Sequence, residues 1–562
     1  MRRTLLTVLF LATWLSTPAV RADPAWRWDN VPRVVVFGDV HGAYHELLPL
    51  LQQTGVIDAS LHWSGGNTHL VSLGDLLDRG PDSRAVMDLL MRLEDEALQA
   101  GGQVHVVLGN HEAMNLTGDL RYVSTAEYAA FATPSTAASA GSSLDSSASP
   151  TLPSGYAEHR QAFAATGRYG AWLLDKPLLI VINDSAYVHG GLPASVAAPN
   201  LIDTNARFKA ELRSALASPP VTADELPGAA TSRPATPGDL LSDAGPLWYR
   251  GTARCHVLIE ADRLQRSLDR LAVRRVVIGH TPTPILRVQS RFAGDVVMLD
   301  TGMLAEVYRG RASALVIERG LDRVVVAGDA SVNRVLAQAG GYAGEWETSD
   351  RIAALLDSAP VSSSSKTVGG AKGELELTLT TADGPLAARF VPLSSQRLQH
   401  EVAAYRLDRL LRLGIVPPAV AREVDGKRGL LTATGSRWSS ERARHDSGAA
   451  RPNACESGSD YLLMQAFDAL IGNDARTADN LGYDRDTGEL RLRDFGDAFR
   501  RGGLGRNAAA EPPQLPSALR DRFVALDERA LVNAAGDQLQ PRDIEAVLER
   551  RNAIVDTWPI LE

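Results

Sequence analysis

The sequence predicts an α/β fold for the first half of the chain and a separate α+β unit for the second, on three observations. Five apolar stretches end in side chains of the kind that bind metals, four of them through an intervening glycine and one, Ala186 to Val188, running straight into His189. That is the pattern of buried strands delivering ligands at the carboxyl edge of a sheet. A helix and then a tract of small polar residues, Ser362-Ser363-Ser364-Ser365-Lys366, interrupt the pattern and mark a boundary. Beyond it the order changes to strands followed by an amphipathic helix from Arg397 to Leu411.

In chain order, Met1-Arg2-Arg3-Thr4 followed by the apolar run Leu5 to Ala12 has the outline of a secretory signal peptide. Val20 and Ala22 are small residues suited to a cut after Ala22, so residues 1–22 are expected to be removed and the mature protein to be periplasmic or secreted. No later run reaches the roughly 18 apolar residues of a transmembrane helix, so no stable membrane span is expected.

The first ligand-bearing strand is Arg33 to Phe37, leading into Gly38-Asp39-Val40-His41-Gly42. The second, Thr68 to Leu73, leads into Gly74-Asp75-Leu76-Leu77-Asp78-Arg79-Gly80, and the third, Val104 to Leu108, into Gly109-Asn110-His111-Glu112. Ala186 to Val188 delivers His189-Gly190-Gly191, and Val276 to Ile278 delivers Gly279-His280-Thr281. Imidazole nitrogens and hard oxygens without thiolate suit two divalent transition metals, and Asp75 is the candidate bridge. Two such ions share and activate a water and clamp phosphoryl oxygens, so the chemistry implied is phosphate ester hydrolysis.

Two stretches interrupt this half. Thr133 to Gly155 and Pro219 to Pro237 are low in complexity and are expected to be mobile surface loops beside active-site segments. Val296 to Met303 and Ser313 to Ile317 read as the strands that close the sheet.

The motifs GDVHG, GDLLDRG, GNHE, HGG and GHT, in that order, resemble the signature set of the phosphoprotein phosphatase family of metallophosphatases, in its Shewanella-like branch. Gly170-Ala171-Trp172-Leu173 and Gly245 to Gly251 strengthen the resemblance, which spans roughly residues 30 to 320. It implies a calcineurin-like two-layered β-sandwich flanked by helices over residues 23–335. It also implies one metal on Asp39, His41 and Asp75 and a second on Asp75, Asn110, His189 and His280, the ions being manganese, iron or zinc. Water or hydroxide bridging them would attack phosphorus. His111 would protonate the leaving oxygen, Asp78 would hold its other nitrogen, and Arg79 and Arg250 would grip the phosphate. The substrate would be a phosphorylated protein or a small phosphoester. A dinucleoside polyphosphate hydrolase could use the same metals, but Glu112 and Asp78 favour the phosphoprotein branch.

After a linker over 336–370, the helix Arg397 to Leu411 is followed by the runs Phe467 to Leu481, with Gly472-Asn473 and Asn480, and Leu490 to Phe499, with Asp494-Phe495-Gly496. On these runs, residues 371–562 are similar to atypical kinases of the secretory-pathway type. In that resemblance Glu401 is the helix glutamate, and Asn480 and Asp494 are the metal pair of a nucleotide site. Val391 stands where the family has lysine, and Ala475 where it has the catalytic aspartate, with Asp474 one residue early. The domain therefore reads as a degenerate kinase that could still hold nucleotide. A binding protein, or a bifunctional kinase and phosphatase, working through this half is the rival reading.

A net charge of −9 argues against a nucleic-acid partner. Only Cys255 and Cys455 occur, one in each expected domain, so there is no disulfide framework and their pairing is left open.

Overall fold

In a computed structural model the described residues are 26–133, 152–193, 196, 201–216, 240–329, 337–338, 346–367, 373–382, 384–433, 438–449, 455, 459–485, 488–504 and 512–561. The expected signal peptide 1–22, residues 134–151 of the first insertion and all of Pro219 to Pro237 lie outside them.

The strands of the first half are β1 (Arg27–Trp28), β2 (Arg33–Phe37), β3 (His69–Ser72), β4 (Gln103–Val106), β5 (Leu179–Ile182), β6 (Ser185–Val188), β7 (Arg275–Ile278), β8 (Gln289–Arg291), β9 (Val296–Met298), β10 (Ser313–Glu318), β11 (Leu321–Val326) and β12 (Ala337–Gln338). They form two sheets, ordered β11-β10-β2-β3-β4 and β1-β5-β6-β7-β9-β8-β12. Alternation sorts the side chains of β2. Val34 and Val36 enter the core between the sheets, with Val71, Leu73, Val107, Ile180, Val277 and Leu315, whereas Val35 and Phe37 join the core under the helices. Burial on both faces is why these strands read as continuous apolar runs.

Strands β2, β3 and β4 are parallel, and their register pairs Phe37 with Ser72 and Ser72 with Val106. Strands β6 and β7 are also parallel, with Val188 opposite Ile278. The loops carrying the ligand motifs thus leave each sheet at a common edge. The two stretches expected to close one sheet divide between the two: β9 pairs with β7, and β10 pairs with β2.

The second half begins earlier than its composition indicates. Within the expected linker, Trp346–Ser358 is a helix that places Leu356 in a core with Leu377, Phe390 and Leu431. The serine tract is strand β13 (Val361–Lys366), followed by β14 (Leu375–Thr381), β15 (Gly384–Pro392), β16 (Ala419–Val424) and β17 (Lys427–Ala433) in an antiparallel sheet ordered β13-β14-β15-β17-β16. An exposed edge strand is held by backbone pairing, so its side chains carry no apolar signal. The helix Ser395–Leu411 packs on this sheet, and the helices Ser459–Ile471, Ser517–Ala525 and Pro541–Thr557 complete an α+β unit.

Cys255 and Cys455 form a disulfide across a sequence separation of 200, joining the two halves covalently. Around it Leu258 and Ile259 share a core with Leu413 and Phe523, and His256 Nε2 lies 2.6 Å from the Leu413 carbonyl. Among the described residues no helix is long and apolar enough to cross a membrane.

Candidate active site

The ligand loops leave their strands through backbone that ordinary residues avoid. His41, Asp75, Asp78, Arg79 and His280 have φ of 50°, 51°, 69°, 69° and 63°. Each such residue costs on the order of 1–3 kcal/mol, and the conformation persists only where neighbours hold it. Here they do. Val40 and His41 both donate their amides to the Asp75 carbonyl at 2.9 Å, Gly80 donates to the His41 carbonyl at 3.1 Å, and Arg79 donates to the Tyr122 carbonyl at 2.9 Å. A side chain at Gly109 would collide with the Asp75 carboxylate, and one at Gly279 with that of Asp39, so both positions require glycine.

Asp75, buried to 2 % exposure, is the centre. Its Oδ2 lies 3.7 Å from His41 Nε2 and 3.8 Å from His111 Nε2, and its Oδ1 lies 3.3 Å from His189 Nε2. The opposite ring nitrogens are all occupied: Nδ1 of His41 by the Leu77 carbonyl at 3.0 Å, Nδ1 of His189 by the Leu73 carbonyl at 2.8 Å, and Nδ1 of His111 by Asp78 Oδ2 at 2.5 Å. Partners of this kind fix an imidazole so that its other nitrogen faces a metal.

Ligand atoms gather in two triads that share Asp75, one with His41 and His111 and one with His189 and His280, each within 4.8 Å of one another. Asp39 and Asn110, also expected as ligands, touch these groups. Both oxygens of Asp39 accept from the His280 amide, at 2.9 and 3.1 Å, and Asn110 Oδ1 is 2.9 Å from His189 Nε2. Arg250 donates to the His280 carbonyl at 2.9 Å and to Thr281 Oγ1 at 3.0 Å, which sets it beside the second triad. Arg79 Nη2 lies 3.4 Å from His111 Nε2.

Burial, with Asp300 and Asp75 close by, pushes Asp39 well above the usual carboxylate range. Burial alone would raise Asp75 too, but His189, His111 and His41 hold it well below that range. His41 falls to about 3 through burial and the nearby His111, while His189, against the effect of burial, is raised to about 9 by Asp75. Buried carboxylates crowded among inward-facing imidazoles fit a set of donors for divalent cations.

Three contributors were not read from sequence as part of the site. The Glu112 carboxylate accepts from the amides of Gly109, Asp75 and Leu76 at 2.7, 2.9 and 2.7 Å, pinning two ligand loops together. Its position three residues after a helix-capping glycine is the spacing of a capping box, which was a usable signal. Asn115 Nδ2 donates to Asp78 Oδ1 at 2.9 Å and stands one helical turn from His111. Asp300, buried beside Asp39 and raised to about 6 by burial, stands two residues past strand β9, after the apolar run Val296 to Leu299.

In the second half, Glu401, Asn480 and Asp494 line one cavity of about 270 Å³ together with Arg389, Arg397 and Ala475. Glu401 Oε1 accepts from the Gly496 amide at 2.9 Å. Asn480, expected as a metal ligand, lines the same cavity as Asp494. Its Oδ1 accepts from the Thr477 amide at 2.8 Å and its Nδ2 donates to the Ala475 carbonyl at 2.9 Å, so the carboxamide braces its own loop.

Residues 32–284 match the calcineurin-like phosphoesterase family. An uncharacterized protein of Schizosaccharomyces pombe is 29 % identical over 303 residues, covering 52 % of this chain and 80 % of that one. Shewanella-like protein phosphatase 1 of Plasmodium berghei is 25 % identical over 283 residues, 49 % of this chain and 69 % of its own. A crystal structure of a cold-active protein-tyrosine phosphatase from a psychrophilic Shewanella species is 27 % identical with a TM-score of 0.42, covering 55 % of this chain and 82 % of that one.

Proposed function

We propose, from the premise that the first half of this chain is a calcineurin-like metallophosphatase, that the protein is a metal-dependent protein phosphatase that hydrolyses phosphomonoesters. The observation that carries this is the convergence of the Nε2 atoms of His41, His111 and His189 on the buried Asp75 carboxylate. Asp39, His41 and Asp75 would hold one divalent ion, and Asp75, Asn110, His189 and His280 a second. When bound, such ions supply a water activated at neutral pH and a clamp on the phosphoryl oxygens.

The chain's own side chains do the rest. His111 carries a proton on Nε2 toward the leaving oxygen, since Asp78 occupies its Nδ1. Arg79 and Arg250 bring guanidinium donors to the phosphate oxygens and offset the charge that grows there. The similarity to a Shewanella-like protein phosphatase supports a phosphoprotein as substrate. The test compares release of phosphate from phosphopeptides with cleavage of a dinucleoside tetraphosphate by the metal-loaded protein. A higher kcat/KM on the dinucleotide would replace this reading with the alternative.

The second half we take as a degenerate kinase-like domain. An antiparallel sheet of five strands, a helix carrying Glu401 beside it, and a cavity reached by Asp494 support this. Val391 and Ala475 leave it without the lysine and aspartate that phosphoryl transfer needs. Titration of the full chain with ATP and magnesium, beside Asp494→Ala, tests whether nucleotide still binds. Export to the periplasm or medium is the matching localisation, supported by the Cys255–Cys455 disulfide, since such bonds persist in oxidising compartments.

A further inference from the structure

We propose that Tyr122 and Tyr308 are positioning residues that hold the Arg79 guanidinium by their ring faces and so leave its N–H groups for the phosphate. This rests on the reading of Arg79 as a phosphate-binding group. The Arg79 guanidinium carbon lies over the Tyr122 ring at 5.1 Å from its centroid and over the Tyr308 ring at 5.4 Å. Both distances are within the reach of a cation–π attraction.

What surrounds Arg79 otherwise is sparse. Among the described residues no carboxylate forms an ion pair with it, its buried Nε has no hydrogen-bond partner, and Nη2 meets only His111 Nε2 at 3.4 Å. A guanidinium has five N–H donors in its plane. Anchoring it through a carboxylate would occupy the same fork that a phosphate dianion needs, whereas an aromatic face attracts the charge and leaves the in-plane donors open. The left-handed backbone at Arg79 and its amide bond to the Tyr122 carbonyl fix where the side chain starts, and the rings fix where it ends.

Each ring also reaches a histidine of the site. Tyr122 lies 5.1 Å from the His111 ring, and Tyr308 stacks on His41 at 5.7 Å with an interplanar angle of 22°. Tyr122 comes from the segment after the helix Asn110–Thr117 and Tyr308 ends the short helix Ala305–Tyr308. Two elements distant in sequence therefore register Arg79 against His111 on one side and His41 on the other. The contacts use ring faces and not hydroxyls, so phenylalanine should serve as well as tyrosine.

The experiment measures kcat/KM for 4-nitrophenyl phosphate and inhibition by inorganic phosphate, with the metal-loaded full chain. Tyr122→Leu and Tyr308→Leu are each expected to lower kcat/KM roughly three- to tenfold and to weaken phosphate inhibition in parallel, while the phenylalanine variants stay within about twofold of the parent. In an Arg79→Ala background, adding either leucine should change kcat/KM by less than about twofold, because the residue through which the rings act is gone. Leucine losses of equal size in both backgrounds, or phenylalanine variants as poor as leucine ones, would overturn the proposal. If Arg79→Ala alone leaves kcat/KM unchanged, the assignment of Arg79 to phosphate fails first and takes the proposal with it. Should a leucine variant not fold, 4-cyanophenylalanine at the same position keeps the ring's shape while drawing electron density from its face. Weaker phosphate inhibition is then expected, and unchanged inhibition contradicts the proposal.

Discussion

His111 Nδ1 and Asp78 Oδ2 stand 2.5 Å apart with both side chains buried, and Asn115 braces the second Asp78 oxygen. A carboxylate that accepts from Nδ1–H fixes that tautomer and raises the basicity of Nε2, so the ring takes a second proton there. His111→Asn should therefore keep the bound metal, measured by elemental analysis, while kcat falls on the order of 100-fold or more. Asp78→Asn should fall in the same direction by a smaller factor. An unchanged kcat in His111→Asn would remove His111 from the chemistry.

Glu112 ties Gly109, Asp75 and Leu76 together through three amides. A glutamine keeps the volume but offers only one acceptor oxygen, so Glu112→Gln should weaken metal affinity about 10- to 100-fold, as loss of a residue supporting a ligand commonly does. Metal titration followed by calorimetry reads this directly. Affinity within about twofold of the parent would show that the loops hold their shape without it.

The Cys255–Cys455 crosslink closes a loop with a sequence separation of 200, for which chain entropy alone gives about 5 kcal/mol of stabilisation as an upper figure. Cys255→Ser with Cys455→Ser should lower the melting temperature of the oxidised protein by several degrees. Dithiothreitol should lower the parent's by a similar amount and leave the double variant unmoved. A melting curve indifferent to reductant would mean that the bond is not formed.

Glu401 gives a pH dependence whose sign can be worked out. Burial, and then the nearby Asp494, raise its carboxyl to about 7 from an ordinary value of 4.5. Between those values the native protein keeps a proton that the unfolded chain has released, so stability falls as pH rises from 4.5 through 7 and the cost is complete above it. The full cost is on the order of 3 kcal/mol. Glu401→Gln should melt higher than the parent at pH 8 and equal to it at pH 4.5, with the Gly496 amide still accepted by the amide oxygen. A difference independent of pH would refute the cause assigned here.

Much of the site was legible because burial and chemistry coincide in sequence there. Strands buried on both faces read as apolar runs, and the residues just past them, Asp39, Asp75, Asn110, His189 and His280, have side chains of metal-ligand type. What the sequence did not yield depends on neighbours far away in the chain. Nothing in Val296 to Met298 or Ser313 to Glu318 says which sheet each joins. Strand β13 is held by backbone pairing that four serines do not advertise, and the expected linker hid it. The disulfide needed two positions 200 residues apart to be seen side by side. Tyr122 and Tyr308 reach Arg79 from separate segments, one after the helix Asn110–Thr117 and one ending the helix Ala305–Tyr308, with no spacing to connect them.

The most direct test of a two-metal phosphatase centred on Asp75 is hydrolysis of 4-nitrophenyl phosphate by the protein, stripped of metal and then resupplied with manganese, with Asp75→Asn alongside. Turnover that disappears on stripping, returns with manganese and stays absent in Asp75→Asn is the expected result. Turnover that survives stripping, or that Asp75→Asn retains at the parent's rate, would contradict it.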